Sequence, residues 1–260
     1  MQILRRCLEL LDAGRSAVLV TVVQASRSTP GKEGFKLLLA DDGSQSGTVG
    51  GGAVEHRALE EARQVMESGG TRLATYDLGA LGMECGGQVT LLFEHFQGGR
   101  GFFLFGGGHV NRALAPLLES LGFRVTVFDS RPEIRAQWSE QPERRLLVGD
   151  YAALQPLLEQ MREGDYSFIA THGHEHDYTV LSQLLRAARP LAYIGLIGSR
   201  SKVRATMQKL AAEGLSVPEQ LYAPVGLRIG GDTPAEIAVS IAAEVVAVRN
   251  GVTANHMRLP

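Results

Sequence analysis

Residues 101–112, Gly-Phe-Phe-Leu-Phe-Gly-Gly-Gly-His-Val-Asn-Arg, run from an apolar strand through three glycines into the start of a helix. That helix closes at Gly122, and a second strand, Phe123 to Phe128, ends on Asp129, 23 residues after Gly106. A strand, a glycine turn, a helix and an acid at the next strand's tip make the front half of a nucleotide-binding crevice. In that reading the backbone of Gly106, Gly107 and Gly108 lets a phosphate approach, and the helix start at His109 favours its charge. Asp129 is placed to take a ribose hydroxyl. Asn111 stands where the pattern has a third glycine or alanine, so either helix–strand packing or the ligand differs. An ordinary glycine turn in an α/β sheet is the alternative.

After residue 100 the pattern alternates. Strands are expected at 101–105, 123–128, 145–148, 166–170 and 192–197, with helices near 109–121, 150–162, 176–188 and 200–213. Thr233-Pro234-Ala235-Glu236 is a capping box with proline at the first helical position, and Ile237, Ile241, Val245 and Val248 stripe the helix that follows. Such alternation predicts a parallel sheet covered by helices on both faces. The segment before Gln97-Gly98-Gly99-Arg100-Gly101 is different: a helix near 2–13, strands at 17–24, 36–40, 72–76 and 88–95, and a helix from Ala53 to Ser68. The expected fold is therefore α/β, a C-terminal Rossmann-like parallel-sheet domain over 101–251 with a smaller N-terminal α+β domain over 1–98.

The unusual residues collect at the expected carboxyl ends of the parallel strands, where open sheets of this kind bind ligands. They are Gly106–His109, Asp129-Ser130-Arg131, Thr171-His172-Gly173-His174-Glu175-His176-Asp177, and Gly198-Ser199-Arg200-Ser201-Lys202. A further loop carries Arg228, Gly230, Gly231 and Asp232. Gly198–Lys202 and Gly230–Thr233 open helices and can hold an anion through free amides, with Arg200 and Lys202 adding charge. His172, His174 and His176 with Asp177 resemble the ligand run of metallo-β-lactamase-type hydrolases with its last pair inverted. Few other ligands are at hand for a metal shell, so imidazoles donating to an anionic ligand, or a polar loop, are the favoured readings. The first domain adds Gly50-Gly51-Gly52 ahead of a helix with Glu55 in its first turn, expected as a binding lip facing the other domain's crevice. Cys85 lies between glycines in a loop, while Cys7 sits on the apolar face of the first helix and is expected in the core.

Composition narrows the class. A net charge of −2 gives no electrostatic reason for a nucleic-acid or anionic-membrane partner. Two cysteines do not make a disulfide scaffold and suit a reducing cytosol. No uncharged apolar run approaches bilayer length, and the N-terminal residues read as an amphipathic helix rather than a leader.

Taken in order, these motifs resemble the xanthine dehydrogenase accessory proteins of XdhC/CoxI type. The resemblance is carried by Gly47–Glu55, Cys85-Gly86-Gly87, Leu104–Val110 and Phe128-Asp129-Ser130-Arg131-Pro132-Glu133. It continues through Thr171-His172-Gly173-His174 with Asp177, Tyr193–Lys202, and Gly230–Ile241 with Ala242-Ala243-Glu244. It implies a cytoplasmic maturation factor, a chaperone rather than an enzyme. Such a protein binds molybdenum cofactor (molybdopterin or its dinucleotide form), helps it acquire sulfur, and delivers it to a molybdenum hydroxylase. Implied partners are that client, a cysteine desulfurase and a second copy in a dimer. On this reading the cofactor contacts are Gly50, Gly51, Gly52, Glu55, Gly106, Gly107, Gly108, His109, Asp129, His172, His174, Ser199, Arg200, Lys202 and Gly230, with Cys85 at the molybdenum end. Ala53 stands where members of the family often have a cysteine, which removes a thiol role there. The alternatives are an NAD(P)-binding oxidoreductase, a nucleotide-binding sensor, and a metal-dependent hydrolase using His172, His174 and His176.

Overall fold

The structure, a computed structural model, describes residues 1–26, 29–82, 87–139, 141 and 144–255. The chain divides into two compact units, Met1–Gly99 and Arg100–Pro260.

The first unit is an antiparallel sheet with a helix on each face. Its strands are β1 (Ala17–Ala25), β2 (Lys36–Ala40), β3 (Gln45–Gly47), β4 (Thr71–Asp77) and β5 (Gln88–Phe96), in the order β3-β2-β1-β5-β4. Side chains alternate across a strand, and here both faces are apolar. Val18, Val20 and Val22 of β1, with Leu37 and Leu39 of β2, pack under Val54, Ala58, Ala62 and Val65 of α2 (Gly52–Ser68). Ala17, Leu19, Leu38 and Ala40 point the other way, onto Cys7 and Leu10 of α1 (Gln2–Asp12). Cys7 is thus a core residue, and burial, with a smaller contribution from Glu94, pushes its thiol pKa up.

The second unit is Rossmann-like. Its strands are β6 (Gly101–Phe105), β7 (Arg124–Asp129), β8 (Arg145–Val148), β9 (Tyr166–Ile169), β10 (Tyr193–Leu196) and β11 (Leu221–Tyr222). They pair in parallel in the order β8-β7-β6-β9-β10-β11. The chain leaves β6 toward β7 and β8, then crosses back to β9, so the strand order reverses between β6 and β9. Phe102, Leu104, Val125 and Val127 face α3 (His109–Ser120) and α7 (Pro234–Arg249), while Phe103, Phe105, Ile169 and Leu196 face α5 (His174–Ala187) and α6 (Arg200–Ala212).

Beyond the short strands β3 and β11, which the sequence did not announce, two elements near the crevice depart from the sequence expectation. The helix expected over 150–162 is reduced to α4 (Gln155–Leu158). Asp150 accepts the Ala152 N–H and Gln183 accepts the Leu154 N–H, turning the segment before it can wind, and Pro156 offers no amide. Its apolar stripe, Leu154, Leu157, Leu158 and Met161, is still buried in the core. The second departure is a 3-10 turn over Pro132–Gln137, directly after Asp129.

Candidate functional site

The carboxyl ends of β6 and β9, where the strand order reverses, define the crevice of a doubly wound sheet. The three glycines after β6 take different roles there. Gly106 lies at φ +105, its N–H donates to Phe128 O at 2.7 Å, and a Cβ would fall 2.0 Å from Ala170 O. No other residue fits, because the turn is pressed against the end of β9. Gly107 is enclosed by its own chain. Its N–H donates to Asp129 Oδ2 at 2.6 Å, its carbonyl accepts from Trp138 Nε1 at 3.0 Å, and a Cβ would meet Ile134 Cγ1 at 2.4 Å. Gly108 is open: an added Cβ meets nothing within 4 Å. It is the N-cap of α3 and brings no side chain to the amides of the first turn, the arrangement that accepts an anion.

Asp129 is where the structure revises the expected role. Its carboxylate is fully buried and accepts from the Gly107 amide, the Arg131 amide, and Arg131 Nε and Nη2, the last three at 2.9 Å. Burial alone would raise its pKa; the Arg131 guanidinium and the two amides outweigh burial and hold it below the ordinary carboxylate value. Both oxygens are committed within the protein, so the acid does not stand open to a ribose hydroxyl. Asn111 also turns inward. It is buried, and Nδ2 donates to Gly106 O at 2.6 Å, tying α3 to the glycine turn with an amide where the dinucleotide pattern uses a small residue.

Across the crevice, Asp177 Oδ1 accepts from the Thr171 N–H at 2.9 Å and the Thr171 hydroxyl at 2.7 Å, folding the loop onto the start of α5. The histidines of this loop diverge. His172 and His176 rings are 4.5 Å apart and lie against the buried ring of Tyr151, whereas His174 Nδ1 approaches Asp177 Oδ2 at 3.6 Å. Among the described residues no three His, Cys, Asp or Glu side chains gather to hold a metal ion. Burial and the Asp129 charge push the Tyr151 phenol pKa upward, and its ring packs beside Phe128 in the core.

Two further loops expected to offer free amides are capped internally. At the start of α7, Glu236 Oε2 accepts from the Asp232 amide (3.3 Å), the Thr233 amide (3.0 Å) and the Thr233 hydroxyl (2.6 Å). A Cβ on Gly231 would collide with Glu236, and Gly230 lies beside this filled helix start. In the first unit, Glu55 Oε2 accepts from the Thr48 hydroxyl, the Val49 amide (3.3 Å) and the Gly51 amide (3.2 Å), so Gly50-Gly51-Gly52 forms a loop closed on its own carboxylate. Gly50 is further required by its neighbour, since a Cβ there would lie 2.7 Å from Gly31 N. At the start of α6, Ser199 Oγ accepts from the Lys202 N–H at 3.4 Å, and Arg200 and Lys202 are exposed. Cys85 lies outside the described residues.

The sequence reading missed Trp138 and Ile134, which close over Gly107. Their signal was faint: the chain's one tryptophan, nine residues past the acid, in a stretch with no periodic pattern. A mostly apolar concavity of about 530 Å³ lies elsewhere, between the C-terminal part of α3, α7 and residues 252–255.

Comparison with known proteins places these features. A family model described as the XdhC Rossmann domain matches residues 102–245, and one described as the XdhC and CoxI family matches residues 10–77. Over its full length the chain is 32% identical to "Uncharacterized protein YqeB" of Escherichia coli K12, of which it spans 48%. It is 28% identical to "Molybdenum cofactor insertion chaperone PaoD" of the same organism, over 95% of this chain and 88% of that one. A solved structure from Bacillus halodurans, described as a xanthine dehydrogenase, shares the fold with a TM-score of 0.51 at 22% identity, covering 94% of this chain and 96% of that one. With a glycine-turned Rossmann sheet following an antiparallel unit along the chain, and each unit matched by its own family model, the chain belongs to the XdhC and CoxI family.

Proposed function

We propose that this chain is a molybdenum-cofactor maturation factor, a chaperone that holds the cofactor and assists its sulfuration and its insertion into a molybdenum hydroxylase of the xanthine dehydrogenase type. The observation that carries the reading is Gly108, an uncapped helix start in open space at the strand-order reversal of an XdhC Rossmann domain. Similarity to an insertion chaperone supports the same assignment. The cofactor is a pterin with a phosphate at one end and a dithiolene-held molybdenum at the other, and the donors present suit the phosphate end. The first-turn amides of α3 from His109 onward would take the phosphate, and Arg200 and Lys202 would add positive charge at a second helix start. His172, His174 and Ser199 would supply hydrogen bonds along the crevice. When bound, the group supplies the molybdenum centre that the client uses; this chain's residues bind and orient it.

Several roles carry over as part of the same proposal. Gly50, Gly51, Gly52 and Glu55 would form a second contact surface, with Glu55 shaping the loop. Cys85 would face the molybdenum end. The partners would be the client hydroxylase, a cysteine desulfurase and a second copy of the chain, in the cytoplasm. No helix of the described residues is long and apolar enough to cross a membrane.

A second reading, an NAD(P)-binding oxidoreductase, is favoured by the β8-β7-β6-β9-β10-β11 order, which is that of dinucleotide-binding sheets. Purification from a molybdenum-replete host, followed by oxidative release of fluorescent pterin, tests the first reading. Near-stoichiometric pterin is the expected result. Folded protein that stays pterin-free after loading with cofactor released from a molybdenum hydroxylase would refute it. Retained loading and client sulfuration in Cys85→Ser would remove that thiol from the function.

A further inference from the structure

We infer that the segment Arg131–Trp138 is a specificity-determining plug, filling the half-site in which a dinucleotide-binding sheet lays its adenosine. In such sheets the acid at the tip of the second strand holds the adenosine ribose, so the nucleoside rests between the glycine turn and the loop after that strand. Here that space is occupied by protein. Ile134, 1% exposed, abuts Gly107, and the Trp138 indole N–H donates to the Gly107 carbonyl at 3.0 Å. Arg131 pairs in two-pronged fashion with the acid itself.

The plug is fastened at several points. The Arg144 guanidinium lies 5.1 Å from the Trp138 ring centroid and makes two hydrogen bonds, 2.6 and 2.7 Å, to Glu119 on α3. Arg112, also on α3, donates to Gln137 at 3.0 Å. Together these bonds hold the segment to β7 on one side and to α3 on the other. A phosphate can still reach the open Gly108, but it must come from the β9 side of the turn and cannot bring a nucleoside against β7. The site therefore takes a phosphate-ended ligand and rejects adenine dinucleotides. The entry point at Gly108 rests on the proposed cofactor reading; the exclusion of adenosine stands on the packing around Gly107.

The test uses the full chain, whose one tryptophan sits in the plug. Wild-type protein is titrated calorimetrically with NAD⁺, NADP⁺ and ADP-ribose while Trp138 emission is followed. No saturable heat and an unmoved emission are expected. A folded Ile134→Ala/Trp138→Leu variant is expected to bind ADP-ribose saturably, about tenfold or more tighter than the upper limit that the wild-type titration sets. Ile134→Ala alone, with a smaller gain, serves should the double change fail to fold. Saturable dinucleotide binding by the wild type overturns the inference, as does a folded variant that gains nothing. Pterin loading is scored separately. A wild type that takes neither pterin nor dinucleotide defeats the cofactor reading, while the variant's gain still upholds the plug.

Discussion

Asp129 and Gly108 separate the two jobs that a glycine turn can do, one holding the turn together and the other leaving it open. Asp129 has a depressed pKa because Arg131 and two amides outweigh its burial. The stability it contributes is therefore complete above its unfolded value of about 3.9 and disappears as pH falls through the lower folded value. Asp129→Asn is expected to cost about 3 kcal/mol at neutral pH, by leaving Arg131 without its charged partner. It should also flatten the acid limb of stability against pH, read from denaturant melts at stepped pH. Gly106→Ala forces a Cβ onto Ala170 O at positive φ and should destabilise by about 3 kcal/mol. Gly108→Val has room and an ordinary φ of −73, so melting should move by about 0.5 kcal/mol or less. On the proposed function that variant loses pterin retention; a Gly108→Val protein that loads as wild type would remove this turn from the site. The spacing from Gly106 to Asp129 was legible because strand, turn and helix lengths are set locally. Which partner satisfies the acid was not legible. A ribose hydroxyl and the Gly107 amide are equally good donors, and only the packing of Ile134 and Trp138 puts the choice inside the protein.

Among the elements, those with an unambiguous apolar period were read from sequence nearly to the residue, including β6, α3, β8 and α6. α4 failed because its stripe is real while its backbone is diverted by Asp150, Gln183 and Pro156, and a stripe says nothing about which acceptor an amide finds. The capping box of α7 was legible as a motif, and its physical consequence is that a helix start that owns a carboxylate needs no outside anion. Thr233→Ala should cost about 1 kcal/mol in the second unit's melting and leave pterin loading unchanged. Glu244, on the same helix, has a role that its place in the motif does not reveal. It is buried, accepting from the Tyr193 hydroxyl at 2.6 Å and the Gly226 amide at 3.1 Å. Burial first, and then the Glu244 charge, push the Tyr193 phenol far above its ordinary pKa, so the proton stays on the tyrosine and the pair is a fixed hydrogen bond. Glu244→Ala strands that hydroxyl and should cost about 2 kcal/mol.

The whole chain carries separate apolar cores in its two units. Calorimetry is accordingly expected to resolve two transitions, with Glu244→Ala lowering one and leaving the other in place. A single transition displaced as a whole by that substitution would show that the units unfold together. Composition and alternation were enough to assign the α/β class and a smaller α+β first unit, because both follow from short-range pattern, while the antiparallel pairing of that unit came from the structure. The front half of the crevice was legible for the same reason, whereas its closure by Ile134 and Trp138 depends on contacts far apart in sequence, which no local pattern encodes.

Asp129, Asp177, Glu236 and Glu55 each supply a negative charge from inside to a loop that would otherwise wait for one from outside. Each of these loops is held without an outside anion, so on the proposed function release of the cofactor would ask no refolding of them.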